Sequence, residues 1–207
     1  MGTQERRERE RRRRRQDILD TARRLFWERG YAGTTMPEIA EAAQLAQGTL
    51  YLYFPSKGAL YVELLFEGYA MLLERLGAQV ARDLPPRERA GALIDAFLEF
   101  ARDWPQYFDI IFFVLQREAR SGEGEGLDPE QVERLYAREA ACKAVAARLL
   151  QQAGHEGTAE ELQRSVDAIW SMLVGTVFYF RKAGPERFAA VAGQARHLIL
   201  RALFPEK

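Results

Sequence analysis

Between Gln47 and Phe54 the chain reads QGTLYLYF, and these residue types suit contact with base edges. At about 100° per residue, Leu50 and Phe54 point to one side of a helix and Gly48 and Leu52 nearly to the other. Leu50 and Phe54 can then be core. Gln47, Gly48, Thr49, Tyr51 and Leu52 remain as an outer rim without a charge on it. A soluble surface helix normally carries charge there, so the rim suits a surface built to meet a partner. Small, amide, hydroxyl and apolar groups match base edges and thymine methyls in a major groove. On this reading Gln47 and Leu52 discriminate bases, while Thr35, Thr49, Tyr51, Tyr53 and Lys57 position the phosphate backbone.

Two short helices must hold that rim. Thr35 with Glu38 three residues on forms a capping box, so a helix should start there. Met36, Ile39, Ala40 and Ala43 follow at i, i+3, i+4 and i+7 and give it one narrow apolar face. Gln44 and Leu45 break the register, and a second helix is expected from about Gln47 to Tyr53. The pair reads as a helix-turn-helix.

From Ile18 to Leu60 the run IL-TA-LF-ERGY-TT-IA-A-GTLYLYF-SK-AL resembles the DNA-binding domain of TetR/AcrR-family transcriptional regulators. Two positions depart from the family pattern. Ala46 stands where a Ser or similar cap usually opens the recognition helix, which removes about 1 kcal/mol of capping. Pro37 lies in the first turn of the preceding helix, where N–H groups are unpaired in any case. The resemblance implies a regulator of a double-stranded DNA operator, a small-molecule effector among the central helices, and coupling of effector to operator through the fourth helix. The leading expectation is a repressor released by its effector, the alternative an activator or a regulator without a small-molecule ligand.

Composition narrows the alternatives. The 207 residues are 47% hydrophobic and 29% charged, rich in Ala, Leu, Arg and Glu, and the expected class is all-α. The net charge is zero, yet residues 1–57 hold twelve Arg/Lys against eight Asp/Glu, leaving −4 on the remaining 150. A basic front on an acidic body is the asymmetry of a nucleic-acid binder. One cysteine, Cys142, allows no internal disulfide and suits a reducing cytoplasm, where a packed thiol is expected. The charged start is followed by no apolar h-region, so no secretory signal is expected. Ala168 to Phe180, the longest uncharged apolar stretch, is too short to span a bilayer that needs about 20 residues.

Enzyme classes find little support. His155 and His197 have no i+4 partner for a metal, and G-x-S-x-G, CxxC and a dinucleotide fingerprint are lacking. No catalytic residue, metal or cofactor is expected. A membrane-surface role for the arginine-rich start is disfavoured, because Trp, Phe and Leu are not interleaved there.

In chain order, Gln4 to Arg15 is a basic arm, either a frayed helix extension or an arm along phosphates or in a minor groove. Asp17 to Arg29 is expected to be a helix on Ile18, Ala22, Leu25 and Phe26, closed by Gly30, with Tyr31 folding back. Ser56 caps a fourth helix through Leu76, and the prolines after Asp83-Leu mark a boundary. Helices then follow over Arg87–Asp103, Pro105 to about Arg120, Pro129–Ala153, a second capping box at Thr158/Glu161 to Ala183, and Pro185–Phe204. The segment Ser121–Gly126 reads as a loop. About nine helices result, divided as an arm (1–15), a helix-turn-helix head (16–57) and a ligand-binding and dimerisation body (58–207).

Phe97, Phe100, Trp104, Phe108, Phe112, Phe113 and Trp170 concentrate aromatic bulk in the body. They are a plain core or, as the resemblance implies, the wall of an effector cavity. Arg102, Arg117, Arg120, Arg134 and Arg138 lie on the same helices, and Arg138 in particular is expected to receive an acidic head group. The expected effector is an elongated apolar molecule of fatty-acyl type. Val174, Phe178, Phe188 and Leu198 belong to an apolar excess on the last two helices, expected to form a homodimer by four-helix packing.

Overall fold

The computed structural model describes residues 2–112, 129–154 and 157–205. Among them the architecture is all-α: nine helices, one 3-10 turn and no strand. They are α1 (Thr3–Arg29), α2 (Met36–Ala42), α3 (Gln47–Tyr53), α4 (Lys57–Val80), α5 (Pro86–Asp103), α6 (helical over 105–112), α7 (Pro129–Gln152), α8 (Ala159–Phe180) and α9 (Pro185–Leu203), with the 3-10 turn Arg181–Ala183 between the last two. The expected loop Ser121–Gly126, with Phe113, Arg117, Arg120, Asp128 and His155, lies outside the described residues. No helix among those described is long and apolar enough to cross a membrane.

Local chemistry sets most helix ends. Thr35 accepts from the Glu38 N–H at 3.4 Å, and the Glu38 carboxylate takes the Thr35 N–H at 2.8 Å, so the capping box opens α2. Those hydrogen bonds from Thr35 hold the Glu38 carboxyl below its ordinary value. Thr158 and Glu161 repeat the device at α8, and Ser56 caps α4 through the Ala59 N–H. Gly30 closes the first helix with φ +74°, a conformation that favours glycine, and its N–H donates to the Phe26 carbonyl.

Three boundaries differ from the sequence expectation. The first helix does not begin at Asp17 but runs unbroken from Thr3 through the basic arm. The fourth continues past Leu76 to Val80, with Leu76 still buried near its end. Helix α8 stops at Phe180, before the 3-10 turn, and not at Ala183. Helix α4 is the spine. Its N-terminal half packs on α1, and the rest lies against α5 and α7. Gly68 permits the close approach of α6, since a Cβ there would stand 2.9 Å from the Tyr107 ring and 3.1 Å from Ile111.

Candidate nucleic-acid interface

Helix α3 presents the two faces that its sequence requires. Leu50 and Phe54 are buried in the hydrophobic core that also holds Ile18, Ala22, Leu25, Ile39 and Ala40. On the other side Leu52 is 79% exposed and Tyr51 48%, with Gln47 and Gly48 also exposed. Thr49 and Tyr53 are half-buried at the flanks. Ala46 caps α3 with no side-chain hydrogen bond, as its residue type dictates. The fold does not require Gly48, because a Cβ built there meets nothing within 4 Å. A large apolar side chain and a bare backbone patch thus share one uncharged, outward surface.

Two of the expected backbone-positioning side chains are already committed inside the head. The Lys57 ammonium donates to the Tyr31 carbonyl at 2.8 Å and to the Thr34 carbonyl at 2.9 Å, and it sits 4.2 Å from the Tyr31 ring centroid. It ties the start of α4 to the turn between α1 and α2 with two of its three protons, which leaves one for the phosphate contact expected from sequence. The Thr35 hydroxyl donates to the Glu38 carboxylate at 2.8 Å while accepting the Glu38 N–H, so its bonds serve the cap.

Sequence reasoning missed several residues that hold this head. The fully buried Thr34 places its hydroxyl 2.9 Å from the Gly30 carbonyl, satisfying a turn that carries no helical bonds. Gln44 occupies the turn between α2 and α3 with φ +56°, a conformation unfavourable for a residue with a Cβ. Arg23 reaches from α1 to α4, with bonds of 2.8 and 2.7 Å to the two Glu67 oxygens. Trp27 meets the Tyr107 ring at 5.2 Å, and burial together with the Glu67 charge pushes the Tyr107 hydroxyl pKa up. These long-range partners follow no local spacing, and nothing short of the fold could pair them.

In the body, Phe97 (α5), Phe108 and Phe112 (α6) and Trp170 (α8) form one buried aromatic cluster. Phe108 and Phe112 stand 4.4 Å apart, and Phe97 lies 5.1 Å from Trp170. Phe100 is buried on the same helix as Phe97. Trp104 does not join them. It ends α5, is 44% exposed, and turns toward Tyr107 at 6.2 Å. Arg138 is exposed on α7 with its guanidinium 5.7 Å from the Phe66 ring, and Arg134 covers the same ring at 4.5 Å. Neither arginine faces the cluster. Two cations border it: Arg181, 5.7 Å from the Phe108 ring and paired with Asp109 at 2.6 Å, and Lys143, 5.8 Å from the Trp170 ring and paired with Glu139 at 2.7 Å and Asp167 at 2.9 Å. Burial alone would lower the Lys143 pKa, but hydrogen bonds to Glu139 and Asp167 raise it.

The four expected dimer residues divide between two places. Phe178 is exposed on α8 against the Tyr179 ring, Met172 is exposed on the same helix, Val174 is half-buried, and Leu198 is exposed on α9. Phe188 instead lines a groove of about 630 Å³ between α5 and α9, together with Leu98, Ala192 and Arg196. Ten residues separate Phe188 from Leu198, which places them about 80° apart around the helix. Cys142 is buried, and burial pushes its thiol up to about 12.

An outward, uncharged α3 held by a capped α2 and a tight turn defines a helix-turn-helix unit, here on an all-helical body. Residues 18–64 match the family model described as bacterial regulatory proteins, tetR family. Among curated relatives, the HTH-type transcriptional activator FasR of Mycolicibacterium smegmatis is 31% identical over 102 residues, which cover 49% of this chain and 47% of FasR. The chain spans under half the length of the curated relatives it matches. Solved structures align over nearly the whole chain. The TetR-family regulator PfmR from Thermus thermophilus has a TM-score of 0.67 at 24% identity, covering 89% of this chain and 97% of PfmR. AibR, solved in complex with isovaleryl coenzyme A and operator DNA, has a TM-score of 0.65 at 23% identity, covering 94% of this chain and all of AibR. The chain thus shares the TetR-family model over residues 18–64 and the fold of solved TetR-family structures over nearly its whole length. These relatives are transcriptional regulators, not enzymes.

Proposed function

We propose that this chain is a homodimeric transcriptional regulator that binds double-stranded operator DNA through α3 and is released from it by a small apolar effector. The observation that carries the reading is the uncharged α3 rim, with Leu52 almost fully exposed above a well-packed Leu50 and Phe54. Exposing a leucine to water contributes nothing to the fold, and Gly48 in the first turn of α3 is a weaker helix former than Ala. Both choices make sense where a groove closes over them. Gln47 and Leu52 would read bases, with Thr49, Tyr51 and Tyr53 against the backbone and Gly48 allowing close approach. The division into arm (1–15), head (16–57) and body (58–207) belongs to this proposal, as does a cytoplasmic location.

For the effector, the Phe97–Phe108–Phe112–Trp170 cluster supplies apolar surface deep in the body, and Phe108 and Phe112 are on the helix that packs against Gly68 of α4. A fatty-acyl compound suits that cluster, and AibR offers a relative of the same fold with an acyl coenzyme A bound. Lys143 and Arg181 take the place expected for Arg138 as the cations beside the apolar site. An effector that parts these rings would move α6 against α4 and so alter the spacing of two heads. A coupling of a few kcal/mol is enough. The dimer would form on the exposed faces of α8 and α9 around Phe178, Tyr179, Met172 and Leu198, with Val174 at the edge.

Fluorescence anisotropy with DNA flanking the gene tests the reading, first alone and then with a series of acyl coenzyme A compounds. Retention of one fragment over a scrambled duplex, lost on adding an acyl compound, is the expected result. A specific complex that forms only with the effector present would favour the second reading, an activator, which the relation to FasR supports. Equal affinity for all duplexes, with and without Leu52→Glu, would overturn the proposal.

A further inference from the structure

We infer that residues 3–15 form a rigid helical outrigger that lies along the phosphates flanking the site of α3, and that it does not enter the minor groove. This deepens the DNA-reading proposal and rests on it. Residues 3–14 precede the stretch 18–64 that matches the family model, so that match does not account for them. They hold seven arginines against three glutamates. The side chains from Gln4 to Arg14 are exposed, and the backbone is helical throughout.

The sequence explains why so charged a segment stays helical. Glu5/Arg9, Glu8/Arg12 and Glu10/Arg14 are all i,i+4 pairs with the acid on the N-terminal side, the favourable order along a helix. Arg12 and Glu8 stand 3.7 Å apart, and the Gly2 N–H donates to the Glu5 carboxylate at 3.2 Å. Arg7, Arg11 and Arg14 fall at i, i+4 and i+7, on the side of α1 that continues into Ile18. Glu10, the i,i+4 partner of Arg14, borders this stripe on one side.

The root of the arm is fixed beside the reading helix. Arg15 lies 4.7 Å from the ring centroid of Phe54, the residue that caps the end of α3, and pairs with Glu63 of α4 at 2.8 Å. From that anchor, twelve residues at 1.5 Å each extend the helix by about 18 Å. A helix with its side chains is about 10–12 Å across, whereas a minor groove is about 6 Å wide, so the helical arm is excluded from it. Its arginines instead meet the phosphates beyond the end of α3 and raise affinity without regard to sequence.

Four proteins tested by anisotropy on two labelled duplexes, one all A·T and one all G·C, separate the possibilities over rising salt. They are the full chain, a deletion of residues 3–14, the triple variant Arg7→Gln/Arg11→Gln/Arg14→Gln, and Leu52→Glu. The deletion should flatten the slope of log K against log salt by about 3–4, from a net charge of four removed, and the triple variant by nearly as much. The loss should be equal on both duplexes, and circular dichroism should show about twelve helical residues fewer in the deletion. An unchanged slope overturns the inference, as does capture of the arm by anionic vesicles with the DNA slope unaltered. A loss confined to the A·T duplex means entry into a narrow minor groove and overturns it equally. If the deletion flattens the slope while Leu52→Glu changes nothing, the arm stands and the proposed role of α3 falls. If only Leu52→Glu weakens binding, α3 stands and the arm falls.

Discussion

The head and the body treat their apolar side chains in opposite ways. In α3 the side chain of Leu52 is left in water, whereas in the body Phe97, Phe108, Phe112 and Trp170 are closed against one another. The charges are placed inversely too. The α3 rim has none, while Arg134 and Arg138 lie outside the body's helices on Phe66. An exposed, uncharged surface serves contact with a large partner. A buried aromatic cluster serves stability first, and an effector only if its rings can part.

The largest expected effect comes from breaking the body. Phe97→Ala should cost about 3–5 kcal/mol, because Phe97 is buried against three aromatic rings and its removal leaves a cavity. Chemical denaturation measures this. A loss below about 1 kcal/mol would show that the cluster is already loosely packed and closer to an open pocket than the described structure.

Lys57→Ala comes next. It leaves the Tyr31 and Thr34 carbonyls without their donor and should lower stability by about 1–3 kcal/mol. If the melting temperature is unchanged and only the salt slope of DNA binding flattens by about one, Lys57 is a phosphate contact after all.

Gly48→Ala sharpens the comparison because its two readouts diverge. The fold has room for the methyl group, so the head should gain up to about 1 kcal/mol. Operator affinity should nevertheless fall at least tenfold as the backbone is held away from the groove. A variant that gains stability and keeps its affinity would remove Gly48 from the interface.

Gln44→Gly should stabilise the head by up to about 1 kcal/mol, since φ +56° is unfavourable for a side chain with a Cβ. It touches neither the α3 rim nor the aromatic cluster, so both functions should be unchanged.

The smallest effect is one of pH. Hydrogen bonds from Thr35 hold the Glu38 carboxyl below its ordinary value, so the cap's contribution is complete above the unfolded glutamate value and is lost as pH falls through the folded one. Hydrogen exchange in α2 should therefore quicken in mild acid, and Glu38→Gln should abolish that dependence. Exchange in α2 that is equally pH-sensitive in Glu38→Gln would place the effect elsewhere.

By itself the sequence determined what depends on nearest neighbours along the chain. Capping at Thr35, Ser56 and Thr158, the glycine at position 30, and the two faces of α3 all follow from residue types a turn or less apart, and each is found. The arm was legible as charge, and as helix only in one of two readings, because three i,i+4 pairs had to outweigh the repulsion of eight arginines. Only the tertiary structure decided which long side chains meet. Helical spacing put Trp104 on the aromatic face, but α5 ends there and the side chain turns toward Tyr107. Arg138 lay on a plausible helix but faces Phe66, and Lys143, one turn on, is the cation near Trp170. The ties of Lys57 to Tyr31 and Thr34 and of Arg23 to Glu67 span 23 to 44 residues. Such contacts depend on how whole helices cross, and helix crossing is set by packing, not by the local pattern that makes each helix.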